Sequence, residues 1–116
     1  AGDGDFQMNM AELGTALQYK AFPIILLLNN SSYGTIRMHQ EKSYPDRVYG
    51  TDIENPDYNM IAKAYGIPSY KVIKTEEFQQ YFDKAIKSKK GALIELILDI
   101  QCISPYKTLN EIKKET

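Results

Sequence analysis

Cysteine is almost absent from this chain of 116 residues: the single Cys102 excludes an internal disulfide and a cysteine-based zinc cluster, and it fits a reducing cytoplasm. With no basic cluster beside it in sequence, its default reading is an inert thiol. Long apolar runs are missing as well. The longest, Phe22 to Leu28, is interrupted by Pro23 and falls far short of the roughly 20 residues of a membrane span. Neither charge sign dominates, since 14 Lys and Arg against 15 Asp and Glu leave a net charge of -1. No basic stripe forms, so nucleic acid is not an expected partner, and neither is a membrane. The first residues lack a basic segment followed by an apolar one, so no signal peptide is visible and a cytoplasmic location is expected. What is present is a 43% hydrophobic composition, enough for one domain with a core of its own.

Periodicity divides the chain into alternating elements. Met10, Leu13 and Leu17 predict a helix over Asn9 to Lys20, and the apolar run Ile24 to Leu28 predicts a strand covered on both faces, central in its sheet. A weaker helix is expected from Gly34 to Lys42, followed by a loop from Ser43 to Glu54. Asn55-Pro56 reads as an N-cap and first helical residue, with Gly66-Ile67-Pro68 as the stop, and Ile61, Ala64 and Tyr65 as the inner face. Tyr70 to Ile73 reads as a strand. Thr75 is the expected cap of a helix whose Phe78, Tyr81, Phe82, Ala85 and Ile86 share one face. The three lysines of Lys87 to Lys90 suit the end of that helix. Leu93 to Leu98 is a further strand with Glu95 as its only charge, and Leu109 to Lys113 a weak terminal helix. Such alternation predicts an α/β fold, a three-layer sandwich with a mainly parallel sheet.

In sheets of this kind ligands bind beyond the carboxyl ends of the strands, where Gly2-Asp3-Gly4 and Asn29-Asn30 both fall. Glycines expose backbone amides to a close phosphate, but Asp3 would repel it. A magnesium ion resolves that conflict, because it takes oxygen ligands and bridges carboxylate to phosphate. Asn29-Asn30 can supply the second oxygen. Twenty-four residues, Asp5 to Leu28, separate Gly4 from Asn29, room for a helix and a buried strand. Taken singly, each motif is more often ordinary loop chemistry, since Asp-Gly turns and Asn pairs usually do no more than close a loop.

Together, GDG, 24 residues and NN resemble the thiamine diphosphate motif. The stretches GDGDFQMNMAELGTALQY, PIILLLNNSSYGTIRMHQ, NPDYNMIAKAYGI and ALIELILD look like the diphosphate-binding domain of acetolactate synthase relatives. The resemblance implies a thiamine diphosphate-binding fold that begins inside its domain, with residues 1–116 a partial domain of a longer enzyme. It implies magnesium held by Asp3, the Asn30 side chain and the Ser32 backbone carbonyl. The diphosphate would meet backbone amides of Gly4 and Asp5 and those around Tyr33 and Gly34, with Gly2 in the same turn. Many relatives carry Ser at the place of Asp5, which here adds a negative charge. The implied chemistry is that of a thiamine diphosphate-dependent lyase or transferase acting on a 2-oxo acid, carboligation being slightly favoured over decarboxylation. Relatives place the activating glutamate on another domain of a partner subunit. A homodimer or homotetramer with the cofactor between subunits is therefore expected, and this chain alone should be inactive. FAD is possible within the family but has no support in these residues.

Thr35 and, approximately, His39 stand where acetolactate synthases typically carry Met and Trp. His39, the lone histidine, reads more simply as a bystander than as an acid or base. Met8, Met10, Met38 and Met60 read as gap-fillers, and Tyr44, Tyr49 and Tyr58 as buried rings with exposed hydroxyls or as a docking surface. Two other readings stay open: a non-catalytic module that binds a phosphorylated ligand or partner protein through the same edge, and a separate subunit completed by another polypeptide.

Overall fold

β1 (Ile24–Asn29), β2 (Ser69–Val72) and β3 (Ala92–Ile97) form an all-parallel sheet in the order β1-β3-β2, in a computed structural model that describes residues 1–115. Parallel strands need a crossover between them, which the helices provide. These are α1 (Asp3–Asn9), α2 (Glu12–Gln18), α3 (Gly34–Ser43), α4 (Tyr58–Ala64), α5 (Phe78–Ser88) and α6 (Leu109–Lys113).

Side chains alternate across the sheet and separate two cores. Ile25, Leu27 and Leu93 face a cluster with Phe6, Leu13, Tyr58 and Ala62 from α1, α2 and α4. Ile24, Leu26, Ala92 and Ile94 face the other side, where α5 contributes Phe78, Tyr81, Phe82 and Ala85. Helices therefore cover both faces, and the fold is the three-layer α/β sandwich expected from the alternation of elements.

Several local expectations need correction. β3, not β1, is central, because it pairs along both edges and its Ala92, Leu93 and Ile94 are fully buried. The other edge of β1 meets Ala1 and Gly2. The Ala1 amino group donates to the Leu26 carbonyl at 2.8 Å, the Leu28 amide donates to the Ala1 carbonyl at 2.8 Å, and Gly2 bridges Leu28 in parallel. The helix expected over Asn9 to Lys20 is α2, shorter at both ends, and a further helix, α1, precedes it, so that Gly2-Asp3-Gly4 is the start of α1 and not a separate turn. Gly2 is its extended N-cap, whose carbonyl accepts the Phe6 amide at 2.9 Å. Between the helices the Leu13 and Gly14 amides reach back only three residues, to Met10 and Ala11, tightening the chain into a bend.

The cap of α4 is Asp57, which accepts the Met60 amide at 3.0 Å, because the Asn55 side chain is engaged elsewhere. Ala62 rather than Ala64 is buried on that helix. Before α5, Thr75–Glu77 is a 3₁₀ turn held by Glu77, whose carboxylate accepts the Ile73 and Lys74 amides, each at 3.1 Å. Ile86 on α5 is exposed.

α3 packs against α6 around Glu41, which is fully buried. Its carboxylate meets Arg37 at 3.1 Å, Lys113 at 3.4 Å and the Asp46 amide at 2.8 Å. Burial pushes the Glu41 carboxyl up, yet the Asp46 amide, Arg37 and Lys113 together outweigh it and hold it below the usual carboxylate range. A folded-state value below the unfolded one stabilises above the unfolded pKa, and that contribution vanishes as pH falls through the folded value. Acidification below 4.5, the ordinary value for a glutamate, is thus expected to loosen α6 before the sheet, seen as faster amide exchange at Leu109–Lys113. A second prediction concerns the turn into β3. At Gly91, φ is +67° and an added Cβ would lie 2.5 Å from the Pro23 carbonyl oxygen, whereas at Gly50, φ is +66° with open space around it. Gly50→Ala should cost about 1–2 kcal/mol, and Gly91→Ala should cost more than that, as read from urea midpoints at unchanged m.

Candidate functional site

Parallel pairing of Gly2 with Leu28 brings the start of α1 beside the carboxyl end of β1. The chain leaves β1 through Asn29 and Asn30, turns at Ser31 with φ of +54°, and enters α3 at Gly34. These segments, with residues 98–103 opposite, enclose a cleft of about 340 Å³. Gly2, Asp3, Gly4, Asp5, Asn30, Ser32, Tyr33 and Gly34 all line it, so every site residue named from the sequence falls in one place. Leu28, Thr35, Ile36, Leu98, Cys102 and Ile103 complete the wall. Cys102 is exposed.

Close packing explains two glycines. A Cβ at Gly4 would lie 2.5 Å from the Tyr33 ring, and one at Gly34 would lie 3.0 Å from the Asn30 amide nitrogen. Larger residues there would move the ring or the amide that the cleft presents.

Asp3 is 2% exposed, a carboxylate almost removed from bulk water. Its Oδ2 accepts from Asn55 Nδ2 at 2.7 Å, and its Oδ1 takes no hydrogen bond from any described residue. Because Thr51 Oγ1 is the one fully enclosed side-chain polar atom without a partner among the described residues, Asp3 Oδ1 keeps an opening to the cleft, where a cation or water can meet it. Asn30 bends back on its own turn, its Oδ1 accepting the Ser32 amide at 3.1 Å. Ser32 is buried, and its hydroxyl donates to the Thr51 carbonyl at 3.0 Å. The Tyr33 amide reaches the same carbonyl at 2.8 Å, and the Ile53 amide reaches the Ser31 carbonyl at 2.9 Å, so residues 51–53 clamp the Ser31–Tyr33 turn. The buried Thr51 Oγ1 has no partner among the described residues.

Behind this wall lies a polar set that sequence reasoning missed. Asn29 is buried; its Nδ2 donates to Glu95 Oε1 at 2.8 Å and its Oδ1 accepts from Asn55 at 2.9 Å. Glu95, in the middle of β3, also accepts from Asn59 at 2.8 Å and meets Lys71 at 3.7 Å. Tyr58, expected to show its hydroxyl to solvent, is fully buried, its single hydroxyl proton directed to Asn55 Oδ1 at 2.7 Å with the Asp3 carbonyl as a second, longer acceptor at 3.1 Å. Burial pushes its phenol up, the Gln7 amide opposes this, and the nearby Asp3 and Glu95 charges add to it. The lone charge of Glu95 in an apolar strand was the one visible signal of this set. His39 lies outside the cleft, exposed in a separate groove with Met38, Lys42 and Tyr106. Tyr44 and Tyr49 are exposed and also remote from the cleft lining.

Comparison with known proteins bears on the family and the fold. Residues 1–96 match the family "Thiamine pyrophosphate enzyme, C-terminal TPP binding domain". An acetolactate synthase from Arthrospira platensis is 38% identical over 96 residues, covering 81% of this chain and 16% of the relative. The acetolactate synthase isozyme 2 large subunit of Escherichia coli (strain K12) is 33% identical over 101 residues, covering 85% and 18%. Among solved structures, a thiamine diphosphate-dependent 4-hydroxybenzoylformate decarboxylase of Rhodococcus jostii RHA1 superposes with a TM-score of 0.77 at 30% identity, covering 84% of this chain and 19% of that one. Benzoylformate decarboxylase from Polynucleobacter necessarius gives 0.76 at 28%, covering 85% and 19%. The chain thus spans under a fifth of the length of these relatives. The cleft at the end of β1, the parallel α/β sandwich and the match over residues 1–96 together make this chain a member of the thiamine pyrophosphate enzymes, within their C-terminal TPP-binding domain.

Proposed function

We propose that this chain is the diphosphate-anchoring wall of a magnesium- and thiamine diphosphate-dependent enzyme acting on 2-oxo acids. The observation that carries this reading is the buried Asp3 carboxylate, with Oδ1 unengaged by described residues, in a cleft that Asn30 and Ser32 also line. No group of three His, Cys, Asp or Glu side chains that could hold a metal is found among the described residues. A hard cation suits the set nonetheless, since one carboxylate, one amide oxygen and one backbone carbonyl are all oxygen donors, and magnesium leaves its remaining positions to phosphate and water.

In this proposal Asp3, Asn30 Oδ1 and the Ser32 carbonyl hold magnesium. Backbone amides at Gly4, Asp5 and Gly34 receive the diphosphate, helped by the positive end of α3, whereas the Tyr33 amide, expected in the same role, is held by the Thr51 carbonyl at 2.8 Å and Tyr33 lines the cleft by its ring. Bound thiamine diphosphate would supply a thiazolium carbon nucleophile and an electron sink for decarboxylation of a 2-oxo acid. The residues of this chain anchor and orient; none of them is assigned an acid or base role. Catalysis belongs to the longer protein, a homo-oligomer in which a second chain faces the exposed Leu28, Tyr33 and Ile36 at the cleft rim. Carboligation is the favoured reaction, following the acetolactate synthases among the relatives.

Thermal protection by thiamine diphosphate tests the reading. Protection should require magnesium, amounting to about 2.7 kcal/mol at a hundredfold excess over Kd, and Asp3→Ala or Asn30→Ala should remove it. Binding that ignores magnesium and both substitutions would leave the non-catalytic phosphate-binding module as the better reading. Asp5→Ser should tighten diphosphate binding about two- to fivefold by removing an exposed like charge, with a gain that shrinks as salt is raised.

A further inference from the structure

Asn55 lies outside the cleft lining, yet its side-chain amide makes four hydrogen bonds, one of them to Asp3 in the cleft wall. Nδ2 donates to Asp3 Oδ2 at 2.7 Å and to Asn29 Oδ1 at 2.9 Å, tying α1 to the end of β1. Oδ1 accepts from the Tyr58 hydroxyl at 2.7 Å and from Gln7 Nε2 at 3.0 Å. The first pair decides which way the amide faces. The Asp3 carboxylate can only accept, so the nitrogen of Asn55 must point toward Asp3 and its oxygen toward Gln7 and Tyr58.

The anchoring runs deeper than one contact. Asn29 donates in turn to Glu95, whose other oxygen accepts from Asn59. A chain of amides thus links the buried Glu95 carboxylate in the central strand to Asp3 at the cleft. Hydrogen bonds accepted by a carboxylate are among the stronger ones, and here one holds Asp3 from a single side.

We propose that Asn55 is a positioning residue for the divalent cation. By pinning Asp3 Oδ2 it leaves Oδ1 as the one oxygen for the metal, in a fixed orientation, and so favours magnesium, which demands near-ideal octahedral geometry, over the larger and more tolerant calcium. The inference rests on the proposed reading of Asp3 as a metal ligand.

Calorimetric titration of the full-length protein with magnesium and, separately, calcium at a fixed thiamine diphosphate concentration tests it. Asn55→Ala should raise the magnesium half-saturation about tenfold or more, while calcium moves less than about threefold because it accepts irregular ligand sets. Tyr58→Phe keeps the ring packed against Phe6 but removes the hydroxyl that orients Asn55, and it should shift magnesium in the same direction by a smaller factor. Melting of each variant without metal or cofactor shows whether it folds; should Asn55→Ala fail to fold, Tyr58→Phe decides. Equal weakening of both metals, or unchanged half-saturation for magnesium, overturns the positioning role. Asp3→Ala separates the two claims. Loss of metal response in Asp3→Ala with none in the Asn55 and Tyr58 variants sinks only the positioning role, whereas wild-type metal response in Asp3→Ala sinks the metal reading and this inference with it.

Discussion

Pairing of the first two residues with β1 is the contact on which the site depends. Hydrogen bonds from the Ala1 amino group to Leu26 and from Leu28 to the Ala1 carbonyl place Gly2 beside Leu28, one residue short of Asn29. α1 begins at the next residue, so Asp3 can only emerge at the carboxyl end of the strand, where the chain also turns through Asn30 and Ser32. Without that pairing the carboxylate and the amides would belong to separate surface loops. The same end of an open parallel sheet is where ligands generally sit, because strand ends and helix starts converge there.

Holding a carboxylate out of water at that position requires partners, and the chain provides them from a distance. Asn55 follows the loop after α3, and Glu95 lies in the central strand; through Asn29 they form a continuous set of hydrogen bonds to Asp3. A buried polar set of this kind stabilises when every member is matched and costs heavily when one is missing. On the far side of α3 the Glu41 cluster does comparable work, fixing that helix to α6 and to the loop at Asp46. α3 is thereby held at both ends, at the cleft by the Ser32 and Tyr33 contacts to Thr51, and beyond it by Glu41.

Much of the fold is legible in the order of residues alone. The strands at Ile24 and Leu93 declare themselves as continuous apolar runs, and α5 does so through aromatic residues at helical spacing, because burial on both faces or on one stripe leaves those patterns. Boundaries are less legible. Asn55-Pro56 has the form of a helix start, but Asp57 takes the cap because the Asn55 amide has stronger partners in Asp3 and Tyr58. The run at Ile24 to Leu28 suggests a central strand, whereas β3 takes the middle of the three strands and the outer edge of β1 meets only Ala1 and Gly2; hydropathy reports covered faces and is silent about strand order.

What the sequence by itself determined was the chemistry of the site: GDG and NN separated by 24 residues carry oxygen donors and close-approach glycines wherever the chain puts them, and the resemblance of the surrounding stretches identifies the family. Alternation of strands and helices already put both motifs at one edge of the sheet, but tertiary structure alone decided how the cleft closes around them and that Asn55, Tyr58 and Glu95 stand behind them. The reason is physical. A ligand type is a property of one side chain, but the orientation of a carboxylate is set by hydrogen bonds from residues 52 positions away, and nothing local in the chain records that separation.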